Sequence, residues 1–220
     1  MDEKDTNRLE AFSDGVFAVA ITLLVLDIKF SPFKANGLPK DDALMWGEIL
    51  RQGPTLFAFI TSFFTIGIMW LNHHRIFKHI KRYDTTLLFL NILLLMIIVF
   101  IPVPTSLLAQ YIIYPDYHTA AILYAITFLA MATCFNLIWR YASYNGRLLG
   151  KNVDMHVINR ISRQYAFGPL LYLIGIAIAL FNTPLSVVFS FLLAIFFAFS
   201  EISLRRNNLQ TPIESDTVSK

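Results

Sequence analysis

The sequence is poor in the residues that most soluble functions require. It holds a single cysteine, Cys134, and only 15% of its 220 residues are charged, against about 25% in an average soluble domain. One cysteine excludes an internal disulfide, and no zinc-type spacing exists. Cys134 lies in an apolar run and reads as a small buried hydrophobe. No nucleophile–base constellation and no phosphate-binding glycine loop is visible, so the chain reads as no enzyme, with no cofactor and no bound metal. The net charge of +3 does not argue for a nucleic-acid partner, because a bilayer protein places its cations for topology first. No small-residue cleavage site follows the first apolar run, which reads as a retained helix rather than a signal peptide.

What the chain has instead is apolar length. Hydrophobic residues make up 56%. They fall in blocks such as residues 87–102, where Asn91 is the polar interruption. A ~30 Å hydrocarbon core demands roughly 20 helical residues, and a soluble domain would need polar faces on nearly every element. The blocks predict an all-α integral membrane bundle of six spans, over 8–28, 48–73, 85–109, 119–141, 161–181 and 184–204. Residues 1–206 form one transmembrane domain and 207–220 a polar, disordered cytoplasmic tail. Pro54 suits a first helical turn. Pro102 and Pro104 should kink or end the third span, and Asn182, Thr183 and Pro184 make a short hairpin turn. Trp46, Trp70 and Trp139 fall near span ends, where amphipathic rings prefer to sit.

Cation placement sets the orientation. With the N-terminus inside, the cytoplasmic face carries Lys4, Arg8, Arg75, Lys78, Lys81, Arg82, Arg140, Arg147, Lys151, Arg160, Arg163, Arg205, Arg206 and Lys220. The outer face carries Lys29, Lys34, Lys40 and Arg51. Fourteen against four favours both termini in the cytoplasm, as an even number of spans requires.

The first span is unusual. Arg8, Glu10, Ser13 and Asp14 cluster at its inner end, and Ala11, Gly15, Ala18, Ala20 and Thr22 make it rich in small residues that allow close helix approach. Phe12, Val16, Val19, Leu23 and Leu26 step by 4, 3, 4 and 3 along one narrow stripe. The stripe has two readings. It packs against another helix of the same chain, or it faces a symmetry axis where several copies form a hydrophobic constriction that gates or filters ions by dewetting. Asp14 inside a span costs a few kcal/mol unless paired or hydrated. It either pairs at the interface with Arg8 or a basic loop, or sits at an inner vestibule or in an interhelical polar network. Asp27 is either a solvated end residue or attracts cations at the outer mouth.

Other polar groups are less suggestive. Adjacent helical residues point about 100° apart, so His73 and His74 rarely chelate one ion together, and Phe77 and Lys78 occupy the positions where a further ligand would fall. Interhelical hydrogen bonding suits them better. Glu201 has Arg205 at i+4 as its mate. Asp116, Tyr117 and His118 lie in an outer loop, where hydration explains them.

Arg8 with Phe12, Ser13 and Asp14 matches R-x-x-x-F-S-D, and the chain here resembles the transmembrane protein 175 family of potassium channels in its bacterial single-repeat form. Trp70-Leu71-Asn72-His73-His74 with Phe77 is similar to that family's second-helix ending. Asp84 through Thr105, with Asn91 and Pro102-Val103-Pro104-Thr105, is similar to its third helix. The last three helices resemble it in number and length.

The resemblance implies six helices per repeat, a homotetramer in the lipid bilayer of the cell (inner) membrane, and a pore lined by the first helix. The usual filter loop is absent from the family, and no T-V-G-Y-G run occurs here. By position, the hydrophobic constriction would be Val19, Leu23 and Leu26, with valine where isoleucine is common. Thr22 would contribute to potassium preference through its hydroxyl. Arg8, Phe12, Ser13 and Asp14 would tie the inner end of the pore helix to its neighbours, with His73 as a partner. A ring of apolar side chains offers an ion no ligands, and potassium releases water more readily than sodium. The implied function is a weakly selective monovalent cation channel permeable to K+. The alternative is a secondary transporter or a membrane scaffold; a transporter should show internal repeats and broken helices, and only Gly53-Pro54 and Gly168-Pro169 are reminiscent of one.

Overall fold

A computed structural model of the chain describes residues 6–28, 42–114, 116–150 and 155–209, without the side chains of Asp27, residues 42–44, Glu48 and residues 198–209. The expectations for Lys29, Lys34, Lys40, Lys151, the Asp27 carboxylate, the Glu201–Arg205 pair and residues 210–220 lie outside the described residues and side chains.

The described residues are predominantly helical, with no strand among them. The helices are α1 (Asn7–Leu23), α2 (Asp42–Arg51), α3 (Gly53–His79), α4 (Thr85–Phe100), α5 (Pro102–Tyr111), α6 (Thr119–Ser143), α7 (Met155–Ala179) and α8 (Thr183–Leu209). A 3-10 turn, Leu24–Asp27, extends α1, and a second, Tyr144–Gly146, follows α6. Five stretches are long and apolar enough to cross a bilayer: Asn7–Leu26, Gly53–His79, Thr85–Tyr111, Thr119–Gly146 and Met155–Ala179. In α8 the apolar stretch is Thr183–Phe197. The chain is thus an all-α, multi-pass membrane protein.

Local chemistry sets the helix ends and breaks. The Asp84 carboxylate accepts the Leu87 N–H at 2.9 Å and caps α4. Pro102 has no N–H for the Ile98 carbonyl, which accepts the Ile101 N–H instead, and the chain breaks there between α4 and α5. Asn182 Oδ1 accepts the Leu185 N–H and starts α8. Helix α7 runs straight through Pro169. The proline leaves the Tyr165 carbonyl without its helical donor, and Asn136 Nδ2 of α6 donates to it at 2.8 Å.

Two boundaries differ from the sequence reading. The expected second span, 48–73, is two helices, and α3 continues to His79. The polar run from Asn72 to Arg75 does not end the helix: the Tyr165 hydroxyl of α7 donates to the Asn72 carbonyl at 3.4 Å, His73 reaches Asn91 of α4, and Arg75 donates to Gln164 Oε1 of α7 at 3.0 Å. Likewise α7 begins at Met155, before the expected 161, as a polar turn ahead of its apolar part.

Helix α6 is the centre of the bundle: 56% of its apolar window is buried, against 22–39% in the other spans. Phe128, Phe135, Ile138 and Trp139 of α6 pack into the core with Phe77 and Leu94. Helix α1 is peripheral, lying against α3 and α4. Near one end the α3–α4 and α6–α7 connections join. Ile80 and Leu149 form an isolated antiparallel bridge. Lys81 and Arg82 N–H groups donate to Leu148 O, and Gly150 N–H donates to His79 O.

Candidate functional site

The two faces of α1 have opposite fates. Ser13, Phe17, Ala20 and Leu24, spaced 4, 3 and 4, are buried against the rest of the chain. Phe12, Val19, Leu23 and Leu26 are exposed, by 61%, 54%, 36% and 65%. Within a single chain, then, four of the five stripe residues are left exposed. Val16, the fifth, is half-buried against the core. In a 3-10 turn residues i and i+3 eclipse, so the turn after Leu23 keeps Leu26 in line with it. Thr22 shares this exposed side. Its hydroxyl donates to the Val19 carbonyl at 2.9 Å, which leaves the lone pairs of Oγ1 as the groups it offers outward.

The buried face is held by a polar chain at the depth of Ser13. His73 Nε2 lies 2.9 Å from Asn91 Oδ1, Asn91 Nδ2 donates to Ser13 Oγ at 3.0 Å, and Ser13 Oγ donates to Leu9 O at 2.8 Å. Because Asn91 gives its amide proton to Ser13, its oxygen faces the imidazole. His73 therefore donates from Nε2, and donation runs one way from α3 through α4 to α1. All three side chains are buried. His73 Nδ1 has no partner among the described residues. The imidazole is clamped between Phe17 and Phe77, at 5.5 and 4.3 Å between ring centres.

A second set of contacts lies at the same end of α1, nearer the surface. Trp70 Nε1 donates to Asp14 Oδ1 at 2.8 Å, and the Trp70 ring stacks on His74. Glu10 accepts from Thr6 Oγ1 at 2.9 Å and lies 4.0 Å from His74 Nδ1. Of the residues expected in an inner network, Ser13 and His73 are thus brought together. Asp14 is tied to α3 by tryptophan rather than by arginine, and Arg8 and Phe12 are exposed. Asn91 as the bridge and Trp70 as the partner of Asp14 were not foreseen. The signal for Asn91 was present: a lone amide in an apolar block has to find partners at membrane depth.

Two further clusters support this frame. Ser62 Oγ lies 2.8 Å from Thr105 Oγ1 and 3.0 Å from the Tyr124 hydroxyl, joining α3, α5 and α6. Asp84, outside the spans, accepts the Tyr141 hydroxyl at 2.6 Å and lies 3.6 Å from Arg147, whose guanidinium covers the Tyr141 ring. Burial pushes the Asp84 carboxyl up. The Tyr141 hydroxyl, backbone N–H groups and Arg147 outweigh it and hold the carboxyl below its ordinary value. Among the described residues no group of three or more His, Cys, Asp or Glu is placed to hold a metal ion.

The profile of the family described as "Endosomal/lysosomal potassium channel TMEM175" matches residues 8–102. A Chamaesiphon minutus protein named as a potassium channel is 46% identical over 197 residues, 90% of this chain and 95% of that protein. A Streptomyces collinus protein with the same designation is 36% identical over 211 residues, 94% of this chain and 98% of that one. The crystal structure of a lysosomal potassium-selective channel TMEM175 homolog from Chamaesiphon minutus superimposes with a TM-score of 0.76 at 43% identity, covering 89% of this chain and 97% of that chain. With similarity of this extent along nearly the whole length, including the helices that carry the Ser13–Asn91–His73 chain, the protein belongs to the TMEM175 family.

Proposed function

We propose that this chain is a potassium channel: a homotetramer in the cell (inner) membrane, with six spans per subunit, both termini cytoplasmic, and α1 of each subunit lining the pore. The observation that carries this reading is the exposed apolar stripe of Phe12, Val19, Leu23 and Leu26. The adjoining face of α1 is fastened to the subunit: Ser13, Phe17, Ala20 and Leu24 are buried, and Asn91 donates to Ser13. The names of the relatives supply the ion.

In this arrangement Val19, Leu23 and Leu26 form successive rings with no ligand for a cation. An ion crosses them hydrated or partly stripped, and the smaller dehydration cost of K+ makes selectivity modest. Thr22 Oγ1, its proton committed to Val19 O, acts as an acceptor toward ions or their waters. Asp27 raises the local cation concentration at the outer mouth. Asp14, Arg8 and Phe12 complete the inner end around the buried Ser13 and His73. Recording from purified protein in planar bilayers tests this: unitary K+ currents are expected. Saturating flux without unitary currents would instead favour a secondary transporter. A monomer in detergent and in bilayers would remove the axis that the pore needs and leave a membrane scaffold.

A further inference from the structure

Arg160, Arg163, Phe167, Leu170 and Ile174 of α7 step by 3, 4, 3 and 4, and therefore share one helical stripe. All five are exposed. Neither guanidinium has a hydrogen bond or ion pair among the described residues. The described carboxylates at this end of the bundle are committed elsewhere: Glu10 to Thr6 and His74, Asp14 to Trp70, and Asp84 to Tyr141, Leu87 and Arg147.

The depth of these arginines follows from helix length. A hydrocarbon core takes about 20 helical residues, and counting back from Phe181, at the α7–α8 turn, reaches residue 162. Arg163 thus sits at the edge of the hydrocarbon and Arg160 one turn outside it, while Phe167, Leu170 and Ile174 run inward below them. An unpaired guanidinium at that edge requires an anion or water. An acidic soluble protein would reach Arg160 but not a stripe that continues into the bilayer.

We propose that this face of α7 is a binding site for an anionic phospholipid. The lipid phosphate bridges Arg160 and Arg163 through paired N–H donors, and an acyl chain lies along Phe167, Leu170 and Ile174. The inference depends on α7 spanning the bilayer and not on what the pore conducts. Native mass spectrometry of the full chain with phosphatidylglycerol, phosphatidylcholine and inorganic phosphate tests it. Phosphatidylglycerol is expected to be retained over phosphatidylcholine. The double variant Arg160→Gln/Arg163→Gln should weaken it about thirtyfold, at about fivefold per guanidinium, while Arg160→Lys/Arg163→Lys keeps most of the binding. Equal retention of both lipids, unchanged phosphatidylglycerol binding in the glutamine variant, or full displacement by inorganic phosphate would overturn the proposal. A Phe167→Trp variant keeps both arginines. Its fluorescence should be quenched more by brominated phosphatidylglycerol than by brominated phosphatidylcholine, and equal quenching counts against the site. Efficient Leu170→Cys cross-linking between subunits would also overturn it, because the stripe would then face a second copy.

Discussion

Replacing Asn91 by leucine keeps the branched outline of the side chain and removes both hydrogen bonds that link α4 to α1 and α3. Interhelical hydrogen bonds in membrane proteins average about 0.6 kcal/mol, so their loss accounts for about 1.2 kcal/mol. The larger effect is on His73. Its Nε2–H is left without an acceptor in a buried position where Nδ1 already lacks a donor, and an unsatisfied buried donor costs about 1–3 kcal/mol. The expected destabilisation is therefore about 2–4 kcal/mol. Ser13→Ala removes the Asn91–Ser13 and Ser13–Leu9 hydrogen bonds and strands a buried Asn91 N–H, and should cost about 1–3 kcal/mol. Because Asn91→Leu already breaks the Asn91–Ser13 bond and removes that N–H, the double variant should fall short of the summed losses by at least about 0.6 kcal/mol. Reversible unfolding of the solubilised chain by SDS titration, followed by circular dichroism, measures all three. An Asn91→Leu loss below about 1 kcal/mol, or simple additivity with Ser13→Ala, would refute the directional chain from His73 to Leu9.

Leu23→Asn should raise conductance or lower K+/Na+ discrimination in bilayer recordings, since it places an amide in a ring without ligands; unchanged currents would mean that this face of α1 packs elsewhere. Asn136→Leu should destabilise by about 1–3 kcal/mol by stranding the Tyr165 carbonyl. Adding Pro169→Ala restores the missing helical N–H and should recover most of the loss; no recovery would break the assignment. Asp84→Ala should cost about 0.5–2 kcal/mol at neutral pH. A carboxyl held below its ordinary value stabilises above that value and loses the effect as pH falls through the lowered one. The wild-type advantage over this variant should therefore disappear only below about pH 4, and an advantage lost near pH 6 would contradict the cluster at Asp84.

The helices were legible because apolar blocks of bilayer length leave few alternatives, and the proline break at Pro102 follows from its missing donor. The end of α3 was not legible. Asn72, His73 and Arg75 look like a helix exit until their partners on other helices are known, and partners distant in sequence leave no local mark. The stripe on α1 was visible from spacing alone, but its direction was not, because the buried set Ser13, Phe17, Ala20 and Leu24 has the same period. Only Ser13, a hydroxyl that needs a partner at depth, distinguishes the two faces, and its donor Asn91 lies 78 residues further along the chain, on α4.

The bridge between Ile80 and Leu149 has a consequence in time. The two residues are far apart in the chain, and α4, α5 and α6 must all be inserted and folded back before they meet. The amides of Lys81, Arg82 and Gly150, which are bonded only through this meeting, are therefore markers of completion during biogenesis. In a nascent chain that ends before Tyr144 the Lys81 and Arg82 amides exchange freely with solvent. Once the α6–α7 connection arrives they close, and slow exchange at these positions dates the moment at which the early helices become committed to the later ones.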